Sequence, residues 1–258
     1  MAIAALTLVR RLRAGETVFS AWCGLPYPLV AEALGRDGFA AVTLDSQHGL
    51  WDLNSILTTI AAVRQGGAAP IVRVPVGDFA MVSRALDFGA EGIIAPMINS
   101  AADARAFAAA AKYPPIGERS WGPHRATTLA GLADQSIYLR EANDHVLTLA
   151  MIETRTALKN LDAIVETPGI DGLFLGPSDL SIALSEGKNL DPLSKDVDRE
   201  LDRILAAAQR TNKIPGAYCH SAQRAAELAK RGVRFLAVMS DLAMLRAGAA
   251  AALKILNA

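Results

Sequence analysis

Cysteine is nearly absent from this 258-residue chain: Cys23 and Cys219 stand far apart and outside any CxxC spacing. That excludes a disulfide framework or a thiolate zinc site and fits a reducing cytoplasm. An excess of either charge is missing too. Lys plus Arg (26) balances Asp plus Glu (26), so there is no basic stripe for nucleic acid and no acidic tail. The partners to expect are small molecules and copies of the chain itself. No apolar run reaches transmembrane length, and in the N-terminal MAIAALTLVRRLRAGE the charges follow the apolar stretch, the reverse of a secretory signal. No polar linker divides the chain, so residues 1–258 are expected to form one soluble, cytoplasmic domain.

What is present is alternation. Eight short apolar or β-branched runs (TVFSAWCG, AAVTLDSQHG, APIVRVPV, GIIAPMIN, LTLAMIET, GLFLGPSD, IPGAYCHS and RFLAVMSD) alternate with stretches of helical spacing such as DLNSILTTIAAVRQGG and SAADARAFAAAAKYPP. Glycines at 35 to 38, 66–67, 89 and 232 close the helical stretches where C-caps belong. Eight βα units in a chain of this length predict a closed (β/α)8 TIM barrel. An open doubly wound sheet is the alternative, weakened because neither GxGxxG nor a P-loop follows the first strand.

A barrel places chemistry at the C-terminal ends of its strands. Polar residues gather there: Asp45 and His48, Arg73, Glu153, Asp179, His220, then Ser240 and Asp241. Glu153 and Asp179 end consecutive strands, as two carboxylates holding a hard divalent cation would; the plainer alternative makes them helix caps or first-turn acids. Arg73 interrupts the apolar run PIVRVPV and needs an anion, either an internal carboxylate or that of a small oxo-acid. His48 either caps the next helix or bonds Asp45, or it serves as a general base. Trp22 and Trp51 read as core or pocket wall. The seven lysines (112, 159, 188, 195, 213, 230 and 254) fall in predicted helices or outer turns, which argues against a Schiff-base lysine.

The strings LDSQHGLWD, IVRVP, GAEGIIAPMINSAADARAF, MIETRTALKNLDAIVETPGIDGLFLGPSDLS and RFLAVMSDLAMLRAG together resemble the metal-dependent (class II) pyruvate aldolases typified by 4-hydroxy-2-oxoheptanedioate aldolase, within the phosphoenolpyruvate/pyruvate barrel superfamily. The resemblance runs in order over nearly the whole chain. It implies a reversible carbon–carbon lyase acting on 4-hydroxy-2-oxoacids, with pyruvate or hydroxypyruvate as one product and an aldehyde as the other. Glu153 and Asp179 would hold Mg2+ or Mn2+, with Co2+ as a further candidate. Arg73 would face the keto or enolate oxygen, His48 would carry the proton, and Asp87 in SRALDFGAEG would pair with His48. Gly176, Pro177 and Ser178 would shape the carboxylate pocket, which suits a turn opening a helix.

Two departures stand out. Gln47 occupies a place where the family usually has Glu, and Gly117 to Leu132 replaces a glycine-rich loop while adding Trp121, His124 and Arg125. A long loop of this kind is expected at the catalytic face, forming the acceptor pocket with Trp22 and Trp51 and admitting small unphosphorylated aldehydes. The apolar last helix, SDLAMLRAGAAAALKIL, exceeds what one barrel side needs. The resemblance implies its exchange between neighbouring barrels and a homohexamer built as a trimer of dimers. The competing readings are a lyase acting on acyl-CoA thioesters and a catalytically inactive oligomeric barrel.

Overall fold

Each of the eight apolar runs forms a strand, and the strands close in chain order as a parallel barrel, with the last hydrogen-bonded back to the first. This is the (β/α)8 architecture, not the open sheet. The computed structural model describes residues 7–257; the first six residues of the N-terminal stretch and residue 258 lie outside it. The strands are β1 (Val18–Cys23), β2 (Ala41–Asp45), β3 (Ala69–Arg73), β4 (Gly92–Ala95), β5 (Leu147–Ile152), β6 (Gly172–Leu175), β7 (Ile214–Cys219) and β8 (Phe235–Ser240). Helix α1 (Leu8–Arg13) precedes β1, and α2 (Pro28–Arg36), α3 (Leu53–Gln65) and α4 (Phe79–Phe88) follow β1, β2 and β3. After β4 come α5 (Ala101–Ala111), α6 (His124–Leu129) and α7 (Gln135–His145); after β5, α8 (Arg155–Lys159) and α9 (Leu161–Val165). After β6 come α10 (Pro177–Leu184) and α11 (Lys195–Arg210), α12 (Ala222–Lys230) joins β7 to β8, and α13 (Asp241–Leu256) follows. None of the described helices is long and apolar enough to cross a membrane.

The period of two along each strand divides the core into two layers. Val42, Leu44, Val72, Ile93, Ala150, Leu173 and Leu236 face outward and pack beneath the helices. Val18, Trp22, Ile71, Ile94, Leu149, Met151, Phe174 and Phe235 face inward and fill the barrel. Leu8, Val9 and Leu12 of α1 belong to the inner cluster and plug the end at which the strands begin. The opposite end is thereby left for the polar residues that continue the inward series.

Local chemistry fixes where strands give way to helices. Asp52, Asp78, Ser100, Thr154, Ser221 and Ser240 each accept a backbone N–H from the first turn of the helix they open. Ser240, one of the strand-end polar residues, is therefore a cap. Asp241 is structural as well: its buried carboxylate accepts the N–H groups of Gly24 (3.1 Å) and Leu25 (2.9 Å), fastening the β1–α2 loop.

The segment after α5 corrects one expectation. Gly117 to Leu132 follows a helix, and in a βα barrel the connections from helix to next strand lie at the end opposite the catalytic face. The segment carries α6, which packs on α4, and Trp121 stands against Tyr113 and Tyr138 in the outer layer. Within one chain it is no wall of the acceptor pocket. The same end holds Lys112, whose buried ammonium donates to the carbonyls of Asn143 (2.8 Å) and Val146 (2.6 Å) and to Asp171 (2.7 Å). Burial lowers its pKa against the pull of Asp171. It stands at the far end of the barrel from the strand-end acids, so it supplies no imine chemistry to them.

Helix α13 buries only Asp241, and Leu242, Leu245, Leu253, Ile255 and Leu256 are exposed, the last two by 78% and 79%.

Candidate active site

Asp45 and Arg73 are Cα partners across β2 and β3, both in the inward series. Arg73 Nε and Nη2 donate to the two carboxylate oxygens of Asp45 at 2.8 and 2.7 Å, a bidentate pair with both side chains buried. Trp22 Nε1 adds a third hydrogen bond to Asp45 (3.2 Å), and the guanidinium lies over the Trp22 ring, 4.8 Å from its centroid. Burial alone would raise the Asp45 carboxyl. The Arg73 bond and charge, the His48 amide and Trp22 hold it below the usual carboxylate range. The internal carboxylate is thus the anion that Arg73 meets in this structure; Asp45 takes one edge of the fork, and Arg73 also lines the cavity at the barrel mouth.

Glu153 does not cap a helix; Thr154 does. Glu153 is 1% exposed and its carboxylate lies directly behind Gly176, where an added Cβ would meet both Glu153 Oε2 and the Met151 methyl. Any larger residue there would displace the acid. Glu153 Oε1 accepts the N–H of Met97 (2.8 Å), a residue held at φ 53° in the left-handed region. Thr154 and Asn160 both bond Asn99, tying the loops after β4 and β5 together around the acid. Burial pushes the Glu153 carboxyl up to about 7; the Met97 bond opposes this, the like charge of Asp179 adds to it and Arg73 opposes it. Asp179 itself is half-buried in the first turn of α10, where its charge also suits the helix N-terminus.

His48 follows β2 in a turn that Asp45 organises, its Oδ1 accepting the amides of Gln47 (3.2 Å) and His48 (3.3 Å). The His48 side chain is exposed and lines the cavity. Gln47 turns its side-chain carbonyl into a buried place without a donor, and the carboxylate in this turn is that of Asp45. Asp87 is not beside His48. It lies near the end of α4, on the outer layer, where Arg119 Nη2 donates to it at 2.7 Å, and it faces a different cavity lined by Arg84, Gly122, His124 and Arg125. Within one chain the expected pairing is not made, because α4 runs back from the barrel mouth and carries Asp87 away from it. Trp51 is also outside the cavity, its indole N–H donating to the Cys23 carbonyl at 2.9 Å.

The cavity that these elements enclose has a volume of about 240 Å3, below the ~300–1,000 Å3 of drug-sized ligand sites. It suits a small substrate. Trp22, His48, Arg73, Gly176, Pro177, Ser178 and Asp179 line it, as expected, together with Met151, Tyr218 and His220. Tyr218 and Met151 escaped the sequence reading, although counting inward by twos from Ile214 and Leu147 reaches both. Tyr218 stands edge-on to Trp22 (5.2 Å between centroids), and His220 edge-on to Tyr218 (4.9 Å). The Nε2 of His220 lies 3.2 Å from Ser178 Oγ, and burial lowers the pKa of this histidine.

No group of three or more His, Cys, Asp or Glu side chains converges among the described residues, so no closed metal cage is built. The donor set is two carboxylates, Glu153 and Asp179, close enough to repel each other. Two like charges, Glu153 behind Gly176 and Asp179 on the cavity wall, fit a hard divalent cation, which accepts one or two protein carboxylates and fills its shell with water and substrate oxygens. Removing the mutual repulsion is what such an ion would do.

The chain is 40% identical over 235 residues to the hydroxypyruvate/pyruvate aldolase of Rhizorhabdus wittichii, covering 91% of this chain and 92% of that protein. It is 34% identical over 242 residues to the 4-hydroxy-2-oxo-heptane-1,7-dioate aldolase of Klebsiella pneumoniae, covering 93% and 89%. The crystal structure of an HpcH/HpaI aldolase/citrate lyase family protein from Burkholderia cenocepacia superposes with a TM-score of 0.88 at 28% identity, covering 98% of this chain and 100% of that one. Residues 19–247, nearly the whole barrel, match the HpcH/HpaI aldolase/citrate lyase family, and the chain belongs to it.

Proposed function

We propose that the chain is a divalent-metal-dependent aldolase that reversibly cleaves 4-hydroxy-2-oxoacids to pyruvate or hydroxypyruvate and an aldehyde. The observation that carries this reading is that Asp179 and the Arg73 fork line one small cavity while the buried Glu153, behind Gly176, feels the charge of both. The activities of the similar aldolases point the same way. A thioester-acting lyase would need a basic groove for its nucleotide, and among the described residues Arg73, engaged by Asp45, is the permanent cation lining this cavity.

Glu153 and Asp179 would hold Mg2+, Mn2+ or Co2+, and the ion when bound would supply Lewis-acid polarisation of a 2-oxo group. Arg73, clamped by Asp45, presents fixed positive charge where negative charge develops on the keto oxygen as the C3–C4 bond breaks toward the enolate. Ser178 and Asp179 open α10 behind Pro177, and their amides have no partner within the helix, so they are free to bind the substrate carboxylate. His48 takes the C4 hydroxyl proton during cleavage and returns it during synthesis. The test is deuterium exchange into the pyruvate methyl group in D2O. Exchange is expected, lost on exhaustive chelation and restored by Mg2+ or Mn2+; full exchange after chelation rejects the metal requirement.

The exposed apolar face of α13 is covered, in this reading, by a second copy of the chain, and the copies assemble further to a hexamer. Asp87 then serves His48 of a neighbouring copy, the arrangement open to a residue on the outer layer. Co-expressed His48→Ala and Asp87→Ala chains test this. Each variant alone is expected to be impaired, while random mixing reunites both groups in about a quarter of the sites and restores that share of activity. Absence of any recovery in a verified mixed oligomer rejects service between chains, and a monomer in sedimentation at micromolar concentration rejects the assembly.

A further inference from the structure

The cavity holds a polar pair, His220 and Ser178, whose side chains the proposed chemistry leaves unused. His220 stands two residues after Tyr218 in the inward series of β7, and Ser221, which follows it, caps α12 and fixes the backbone there. Its ring is set by an edge-on contact with Tyr218 (4.9 Å between centroids, interplanar angle 87°) and by the 3.2 Å hydrogen bond between Nε2 and Ser178 Oγ. Ser178 in turn precedes Asp179 on α10. The pair therefore joins the wall made by Trp22 and Tyr218 to the turn that holds the oxo-acid.

That wall is otherwise aromatic. Trp22 has spent its only donor on Asp45, and Trp51 and Trp121 lie elsewhere. An aldehyde entering beside Trp22 and Tyr218 would thus meet aromatic ring surface and the Tyr218 hydroxyl, with His220 and Ser178 as the hydrogen-bonded polar pair next to them. A neutral imidazole and a hydroxyl, bonded to each other while the cavity is empty, can each offer a donor or an acceptor to one incoming hydroxyl. A site built to bond a hydroxyl discriminates against the analogue lacking it far more than an apolar wall does, because the polar groups are otherwise left unpaired.

We propose that His220 and Ser178 form a hydroxyl-reading subsite that selects 2-hydroxyaldehydes as the acceptor. The proposal rests on the aldolase reading and adds the substrate class to it. His220 acts on specificity, not on bond breaking.

The experiment compares kcat/KM for addition of pyruvate to glycolaldehyde and to acetaldehyde, which differ by one hydroxyl, in the wild type and in His220→Val, His220→Gln and Ser178→Ala. The wild-type ratio is expected to favour glycolaldehyde, and His220→Val to lower that ratio by about tenfold or more. His220→Gln, whose amide can still bond a hydroxyl, should recover part of it. Ser178→Ala should lower the ratio in the wild type but little further in His220→Val, because the two groups act on one hydroxyl. An unchanged ratio in a folded His220→Val, or in His220→Gln and Ser178→Ala alike, overturns the subsite. Wild-type pyruvate exchange, run without aldehyde, separates the two levels: no exchange with Mg2+ or Mn2+ rejects the aldolase reading itself, whereas exchange with an unchanged ratio rejects only the subsite.

Discussion

Glu153→Gln is expected to lower aldol activity by roughly 10³-fold or more while making the metal-free protein more stable above neutral pH. Both effects have one source, a carboxylate placed where burial and the Asp179 charge oppose its ionisation. In the metal-free fold its pKa stands near 7 against an ordinary 4.5. A carboxyl raised on folding contributes fully to stability below its unfolded pKa, and the contribution is lost as pH rises through the folded value. Between pH 4.5 and 7 the wild type should therefore lose on the order of 3 kcal/mol at this position, which glutamine, uncharged throughout and still able to accept the Met97 N–H, does not lose. Glu91, also buried and raised to about 7, changes wild type and variant alike, so the difference between their melting curves isolates Glu153. Thermal melts at pH 4.5 and pH 8 should show a variant advantage only at the higher pH. Added Mn2+ should raise the wild-type melting temperature and not that of the variant. A variant less stable than metal-free wild type at pH 8, or one that melts higher on adding Mn2+, would show that Glu153 is not the strained ligand described.

The barrel was legible because every strand announces itself as an apolar run between turn signals, and because strand ends are where polar residues interrupt such runs. Arg73, Glu153 and Asp179 could be found by that interruption alone. The inward period of two also reaches Tyr218, Met151 and His220, but the first two resemble ordinary core and gave no sign of lining a cavity. Asp87 shows the converse. Its sequence context is that of an exposed helix residue, and the fold places it on the outer layer against Arg119, so any role in the site is a property of the assembly and not of the single chain. The segment from Gly117 to Leu132 misled for a topological reason. Its length suggested an active-site loop, yet its position after a helix assigns it to the opposite end of the barrel, where Trp121 packs against Tyr113 and Tyr138.

Arg73 allows the catalytic and structural contributions of one side chain to be separated. Arg73→Lys keeps a positive charge near Asp45 but loses the planar fork, and it is expected to lower kcat and kcat/KM together by roughly 10²-fold, the signature of an interaction made in the transition state. Arg73→Met should be at least as inactive and also much less stable. It leaves Asp45 buried with only Trp22 and two loop amides as donors, and breaking a buried pair by removing one partner costs about 3–5 kcal/mol. The pH dependence gives the check. In the wild type the Asp45 carboxyl lies below its ordinary range, so its contribution is present at neutral pH and is lost only as pH falls through that depressed value. Without Arg73, burial dominates and raises the carboxyl, so acidification to pH 4 should relieve Arg73→Met while the wild type, still above its depressed Asp45 value, keeps this contribution. Melting temperatures of the three proteins at pH 4 and pH 8 should therefore converge on the acid side. If Arg73→Lys turns over at the wild-type rate, the guanidinium is a barrel strut and the charge that stabilises the enolate must come from elsewhere in the cavity.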